Sequence, residues 1–353
     1  MRDQRENRLQ ALDGLRAVSI LLVVISHAWL GYIVPGGLGV TIFFFISGFI
    51  ITRLMLTEWD KTTTVSIRQF YLRRLFRLMP ALIVFVLISL LTMHYAEVHW
   101  KWAELSSVFF YFANYYGIFF GFSGDALPPP LAITWSLAVE EHFYLVFPIL
   151  FLSLIKSPRL FLKLILAAML IVLAWRIYLG WYVGLDNLVH YRIYKATDTR
   201  FDSILYGTAF SILIARYSCA TDFFSKTWVF LFGILLMLAT LLFRDEIFRE
   251  TLRYSLQGIA LACMFFQLVL TEGFFSRILA SRAMVYIGRI SYSLYLYHWL
   301  AYAIVSRWMP DAHLAMRMLV MGVLSFLSAH LSYRYIEQTF LKIGKSVLHS
   351  AQS

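Results

Sequence analysis

Apolar stretches long enough to cross a bilayer recur along the whole chain, and they constrain its fold more than any motif does. They fall at about residues 17–34, 36–56, 80–96, 133–155, 163–183, 202–217, 227–243, 253–270, 284–305 and 316–336. A helix rising 1.5 Å per residue needs about 20 apolar residues to traverse a hydrocarbon core of about 30 Å. Composition agrees: 60% of residues are hydrophobic and 14% charged, against roughly 45–50% and about 25% in soluble domains. The 353 residues therefore suit one all-α bundle of about ten transmembrane helices, not two soluble domains. Residues 1–341 are expected to form a single transmembrane domain and 342–353 a short cytoplasmic tail, with no appended soluble domain.

An aromatic stretch at 103–122 is interrupted by Asn114 and Gly117 and followed by Gly124 and Pro128, Pro129 and Pro130. It reads as a re-entrant segment, which membranes tolerate only where it is buried in protein or lines a cavity. Counting it so lets the basic residues choose the topology. The net charge of +11 comes from Lys and Arg in short loops, the mark of a cytoplasmic membrane face and not of nucleic-acid binding. Arg2, Arg5, Arg8, Arg16, Lys61, Arg68, Arg73, Arg74 and Arg77 fall on the inside, followed by Lys156, Arg159, Lys163, Arg216, Lys226, Arg277, Arg282, Lys342 and Lys345. Roughly half as many fall outside, and both termini come out cytoplasmic. The basic N-terminus leads into an apolar run with no small-residue cleavage site, so it is expected to be a retained span. Cys219 and Cys263 offer neither a disulfide framework nor a metal spacing.

Polar groups at membrane depth cost several kcal/mol unless paired, so each needs a reason. His27 lies eleven residues after Arg16, close to three helical turns, so Arg16, Ser19, Val23 and His27 share one stripe. The rise puts His27 near mid-membrane; a histidine bonded to a neighbouring helix is the bland alternative. Arg73, Arg74 and Arg77 are spaced to project from one face of a helix, and Pro80 suits the start of the next span. Guanidinium groups suit phosphates, although lipid anchoring would also explain them. Ser136, Glu140 and Tyr144 recur every four residues as a polar stripe, with Glu141 beside it; an ion pair with Arg176 or Arg200 is the structural alternative. Arg289 and His298 exceed the usual interface role of such residues, and Glu337 closes the last span, beside Arg334 or in water. No metal-ligand spacing and no glycine-rich phosphate loop is present.

Taken in order, the segments resemble the membrane-bound acyltransferase-3 family. The matching stretches are LDGLRA at 12–17 with His27, GGLGV at 36–40, FISGF at 45–49, RRLFR at 73–77 and TWSLAVEE at 134–141. RFD at 200–202, GRISYSLYLYH at 288–298 and YRYIE at 333–337 complete them. The likeness covers nearly the whole chain; His142 departs from it, where the family more often has glutamine.

The resemblance implies transfer of an acyl group, commonly acetyl, from cytoplasmic acyl-CoA to a hydroxyl of a cell-surface glycan or lipid-linked sugar. It implies no permanently bound cofactor, and a place in the bacterial cytoplasmic (inner) membrane. It carries importance onto His27, Arg16, Arg74, Arg77 and the Trp135–Glu141 region. On this reading Arg16, Arg74 and Arg77 hold the CoA phosphates and His27 acts as general base. Glu140 or Glu141 orients the imidazole or holds the acceptor, with Ser136 lining the site and Trp135 and Tyr144 stacking on a sugar. A transporter or flippase of a glycan or lipid precursor, using the same buried charges as a relay, is the alternative.

Overall fold

The computed structural model describes residues 2–124 and 127–350, with side chains described from Gln10 to His349's predecessor, Leu348. The side chains of Arg2, Arg5 and Arg8, and residues 351–353 of the expected tail, lie outside the described residues. Within them the chain is helical and contains no strand. Its first third holds α1 (Arg2–Ile25), α2 (Gly36–Thr62) and α3 (Ile67–Tyr95), then the short α4 (Trp102–Phe109) and α5 (Ala113–Phe119). The middle holds α6 (Trp135–Leu154), α7 (Pro158–Tyr178), α8 (Asn187–Lys195), α9 (Thr197–Arg216), α10 (Ser218–Phe224) and α11 (Thr227–Leu242). The last third holds α12 (Glu246–Glu250), α13 (Leu252–Phe265), α14 (Phe274–Leu279), α15 (Arg282–Arg289), α16 (Ser291–Trp308), α17 (Leu314–Leu331) and α18 (Gln338–Ser350).

Seven of the described helices are long and apolar enough to cross a membrane, and α10 with α11, bent by 64°, makes an eighth if the pair is one span. Helices α9 and α16 are 20 and 18 residues long, yet carry more polar residues. Both bury most of their surface in protein, including Arg200, Asp202, Ser291, Ser293 and His298. A helix shielded from lipid by its neighbours has no need to be apolar all round.

Several local expectations change. The 103–122 stretch breaks into α4 and α5, too short to span. Pro80 does not start a helix; it lies inside the continuous α3, so the arginine segment and the following apolar run are one rod. The 284–305 stretch divides at Ile290 into α15 and α16. Helix α1 ends in a π-helical turn, Ser26–Leu30, before the chain reverses through Gly31 and Pro35. His27 therefore sits near the end of its span, Gln10–Leu30, and not at the middle.

One end of the bundle joins the basic loops. Arg216 pairs with Asp60 at 2.6 Å, Arg73 with Glu58 at 3.4 Å and Arg289 with Asp13 at 3.5 Å. At the opposite end, Asn114 and His142 both bond Thr197, and Tyr115 bonds Asp198. Near this same end, Arg176 is fully buried and donates to both Asp202 oxygens at 2.8 and 2.6 Å, and also to Ser255 and the Thr199 and Thr251 carbonyls. Its partner is thus Asp202, not the Glu140–Glu141 pair. Arg200 instead donates to Thr41 at 3.0 Å and stacks over Tyr254.

The α2–α9 crossing carries the centre of the bundle. A Cβ at Gly48 would meet the Ile204 carbonyl oxygen at 2.0 Å, and one at Gly207 would meet that of Phe45 at 1.9 Å. Small residues at such a crossing let helix backbones touch where lipid offers no hydrophobic drive. Gly207→Ala is expected to force α2 and α9 apart and destabilise the protein by about 1–3 kcal/mol, as core overpacking does. A lowered melting temperature in detergent checks this; an unchanged one contradicts the tight crossing.

Candidate active site

Two chambers lie in series along the bundle. The first is lined by Arg16, Arg74, Arg77, Ser47, Glu140 and Tyr144, with Ser136, Tyr292 and Tyr295 among the rest. Helical spacing explains the convergence. Ser136, Glu140 and Tyr144 come from one stripe of α6, and Arg74 and Arg77 from adjoining turns of α3. Arg73 departs from this group: it is exposed and turned to Glu58 and Gln69.

The polar contacts of this chamber form a chain. The Tyr144 hydroxyl donates to Ser47 Oγ at 3.0 Å, and Ser47 in turn donates to Glu140. Arg74 lies with its guanidinium carbon 3.4 Å from the Tyr144 ring centroid, a cation–π stack. The charge of Arg77 interacts with those of Arg16, Arg74 and Glu337. Glu337 is buried and accepts from Ser293, so it neither pairs with Arg334 nor faces water.

The second chamber is lined by His27, Ser26, Gly36, Gly37, Trp135, Tyr194, Lys195 and Trp299, among others. His27 is fixed from one side. Its Nδ1 lies 2.9 Å from Nε2 of the fully buried His298, and the rings stack at 5.2 Å. Trp299 meets the His27 ring edge-on at 4.8 Å. His298 Nδ1 lies 3.1 Å from the Leu294 carbonyl oxygen, which can only accept. The bonding pattern then assigns the tautomers. His298 donates from Nδ1 to Leu294, its Nε2 accepts from His27 Nδ1–H, and the lone pair of His27 is left on Nε2.

A family model described as an acyltransferase domain matches residues 9–334, nearly the whole chain. The chain belongs to the acyltransferase-3 family. It is 32% identical over 355 residues to the peptidoglycan O-acetyltransferase OatA of Listeria monocytogenes, covering 95% of this chain and 56% of that one. It is 30% identical over 352 residues to the O-acetyltransferase OatA of Staphylococcus aureus, covering 95% of this chain and 58% of the relative. A putative O-acetyltransferase of Staphylococcus aureus strain COL is 30% identical over 360 residues, covering 97% and 58%. The chain thus spans a little over half the length of these relatives. No solved structure matches it.

In this acyltransferase-3 chain the nine residues singled out from the sequence do not form one cluster. Arg16, Arg74, Arg77, Ser136, Glu140 and Tyr144 share the first chamber, while His27 and Trp135 share the second. Glu141 lines neither; it is half-buried on α6, and its Oε1 has no hydrogen-bond partner among the described residues. Neither glutamate orients His27. The residue at its Nδ1 is instead His298, which comes from the far end of the chain. One face of the Tyr144 ring, expected to stack on a sugar, is covered by Arg74. His142, the departure from the family pattern, holds Thr197 at 2.7 Å, away from both chambers. Ser47, the lone polar side chain in the apolar run 42–51, went unassigned in the sequence; its isolation there was the available signal.

Proposed function

We propose that this chain is a membrane O-acetyltransferase that moves an acetyl group from cytoplasmic acetyl-CoA to a hydroxyl of a cell-surface glycan. The observation that carries the reading is the arrangement in series. A three-arginine chamber suited to phosphates abuts a chamber holding a histidine with a free ring nitrogen, and both are lined by Val40 and Tyr295. Family membership and the names of the relatives supply the reaction class.

In this reading both termini are cytoplasmic, α9 and α16 complete ten spans, and the protein resides in the bacterial inner membrane. The basic end of the bundle then opens to the cytoplasm. Arg16, Arg74 and Arg77 receive the CoA phosphates by charge-assisted hydrogen bonds. Glu140 belongs to the donor side, where with Ser47 and Tyr144 it fixes the geometry around Arg74. The thioester arm extends toward the second chamber, and the acceptor enters from the opposite face past Trp135. His27 Nε2 takes the proton of the attacking hydroxyl. The name of the Listeria relative makes a peptidoglycan sugar the first acceptor to try.

Arg74→Ala and Arg77→Ala are each expected to raise the KM for acetyl-CoA about 10–100-fold, the worth of a hydrogen bond to a charged group. Steady-state kinetics with purified protein checks this. An unchanged donor KM would move the donor site elsewhere. The reading as a whole is tested by mass spectrometry of envelope glycans from cells with and without the protein. Loss of an acetyl increment on one sugar supports it and names the acceptor; identical glycans, with an unmodified solute moved by the protein in vesicles, would favour the transporter.

A further inference from the structure

Tyr295 is buried and, with Val40, lines both chambers. Its hydroxyl is held at the junction. It accepts from Ser136 Oγ at 2.6 Å and donates to the Ile133 carbonyl oxygen at 3.1 Å. Ile133 lines the His27 chamber, and Ser136 the arginine chamber. Tyr295 lies one helical turn before His298 on α16, with the two rings 5.6 Å apart.

A donor arm arriving from the arginine side and a base waiting on the other side must meet at this partition. The thioester carbonyl is then brought to the boundary that Tyr295 forms. From this we infer that Tyr295 is a further catalytic residue, whose hydroxyl leaves the Ile133 carbonyl and donates to the thioester oxygen as negative charge develops there. The inference rests on the acetyltransferase reading above.

The acceptor oxygen bonds to the thioester carbon while its proton passes to His27 Nε2, and the carbonyl π electrons move onto oxygen to give an oxyanion. Tyr295 O–H donates to that oxyanion and keeps its proton. Collapse restores the carbonyl, breaks the carbon–sulfur bond and expels CoA thiolate, which takes the proton from His27. The Ser136 O–H···Tyr295 bond polarises the tyrosine hydroxyl little by itself; its part is to hold the oxygen at the boundary. The Ile133 carbonyl serves as a resting acceptor, so no buried hydroxyl is left unpaired between turnovers.

Preorganised donors at a developing oxyanion are worth about 10²–10³ in kcat. Tyr295→Phe keeps the ring and removes only the hydroxyl. It is expected to lower kcat about 100-fold while leaving the KM for acetyl-CoA within about twofold. Ser136→Ala, which frees the tyrosine oxygen without removing it, should lower kcat about fivefold to tenfold, and the double variant should match Tyr295→Phe alone. The assay follows CoA release and acetyl incorporation by the purified full chain, with acetyl-CoA as donor and an envelope glycan extract as acceptor. A merely structural tyrosine would shift the melting temperature or the donor KM with kcat. A Tyr295→Phe kcat within twofold of the parent, in a parent that transfers acetyl, overturns the inference alone. A parent that neither releases CoA nor modifies glycan overturns the acetyltransferase reading and this inference with it.

Discussion

His27→Ala is expected to lower acetyl transfer by about three orders of magnitude, within the range of about 10²–10⁴ for a lost general base. The protein should still insert, and acetyl-CoA should still bind, because the arginines occupy the other chamber. The affinity for donor and the rate of transfer thus separate cleanly in one variant. A pulse of labelled acetyl-CoA would show donor retained and glycan unlabelled. An activity above one tenth of the parent would remove His27 from the chemistry and leave it a packing residue of α1. A large fall in donor affinity would instead mean that the two chambers act as one site.

His298→Phe is expected to cost about 100-fold in kcat, with donor KM unchanged. Phenylalanine keeps a planar ring but accepts no proton. His27 Nδ1–H would lose its acceptor, at 2.9 Å, and the tautomer would no longer be fixed, with Trp299 alone left against the ring. Outer groups that orient a histidine commonly contribute 10–100-fold where metal sites have been dissected, and a lost tautomer-fixing partner costs more in hydrolytic triads. The two variants should not add. His27→Ala with His298→Phe should equal His27→Ala alone, since His298 acts only through His27. Full multiplicative loss would give His298 a separate role.

The reach of sequence reasoning here follows from how each contact is encoded. The Ser136, Glu140 and Tyr144 stripe and the Arg74 and Arg77 pair were legible because helical periodicity puts them on one face within a few residues. The Arg16 to His27 stripe was legible for the same reason, and Ser19 between them indeed faces α2, donating to the Gly39 carbonyl at 2.5 Å. Periodicity says which residues share a face and not what stands opposite. The His27–His298 contact spans 271 residues and depends on the π-helical turn after α1 meeting α16, so Glu140 or Glu141 was given the place that His298 fills. Helix ends were the least legible. The apolar run through Val34 hid the reversal at Gly31, and Pro80 looked like a start because α3 absorbs it within a longer rod. The most polar central helices, α9 and α16, are polar because protein and not lipid surrounds them, which no local pattern states.

Acetyl transfer through the bundle is tested most directly by supplying isotopically labelled acetyl-CoA to inside-out membrane vesicles and following the label by mass spectrometry. Label is expected to appear on a glycan hydroxyl within the vesicle lumen when the parent protein is present, and to stay on CoA with His27→Ala. Label reaching the glycan equally well with His27→Ala, or never leaving CoA with the parent protein, would contradict this expectation.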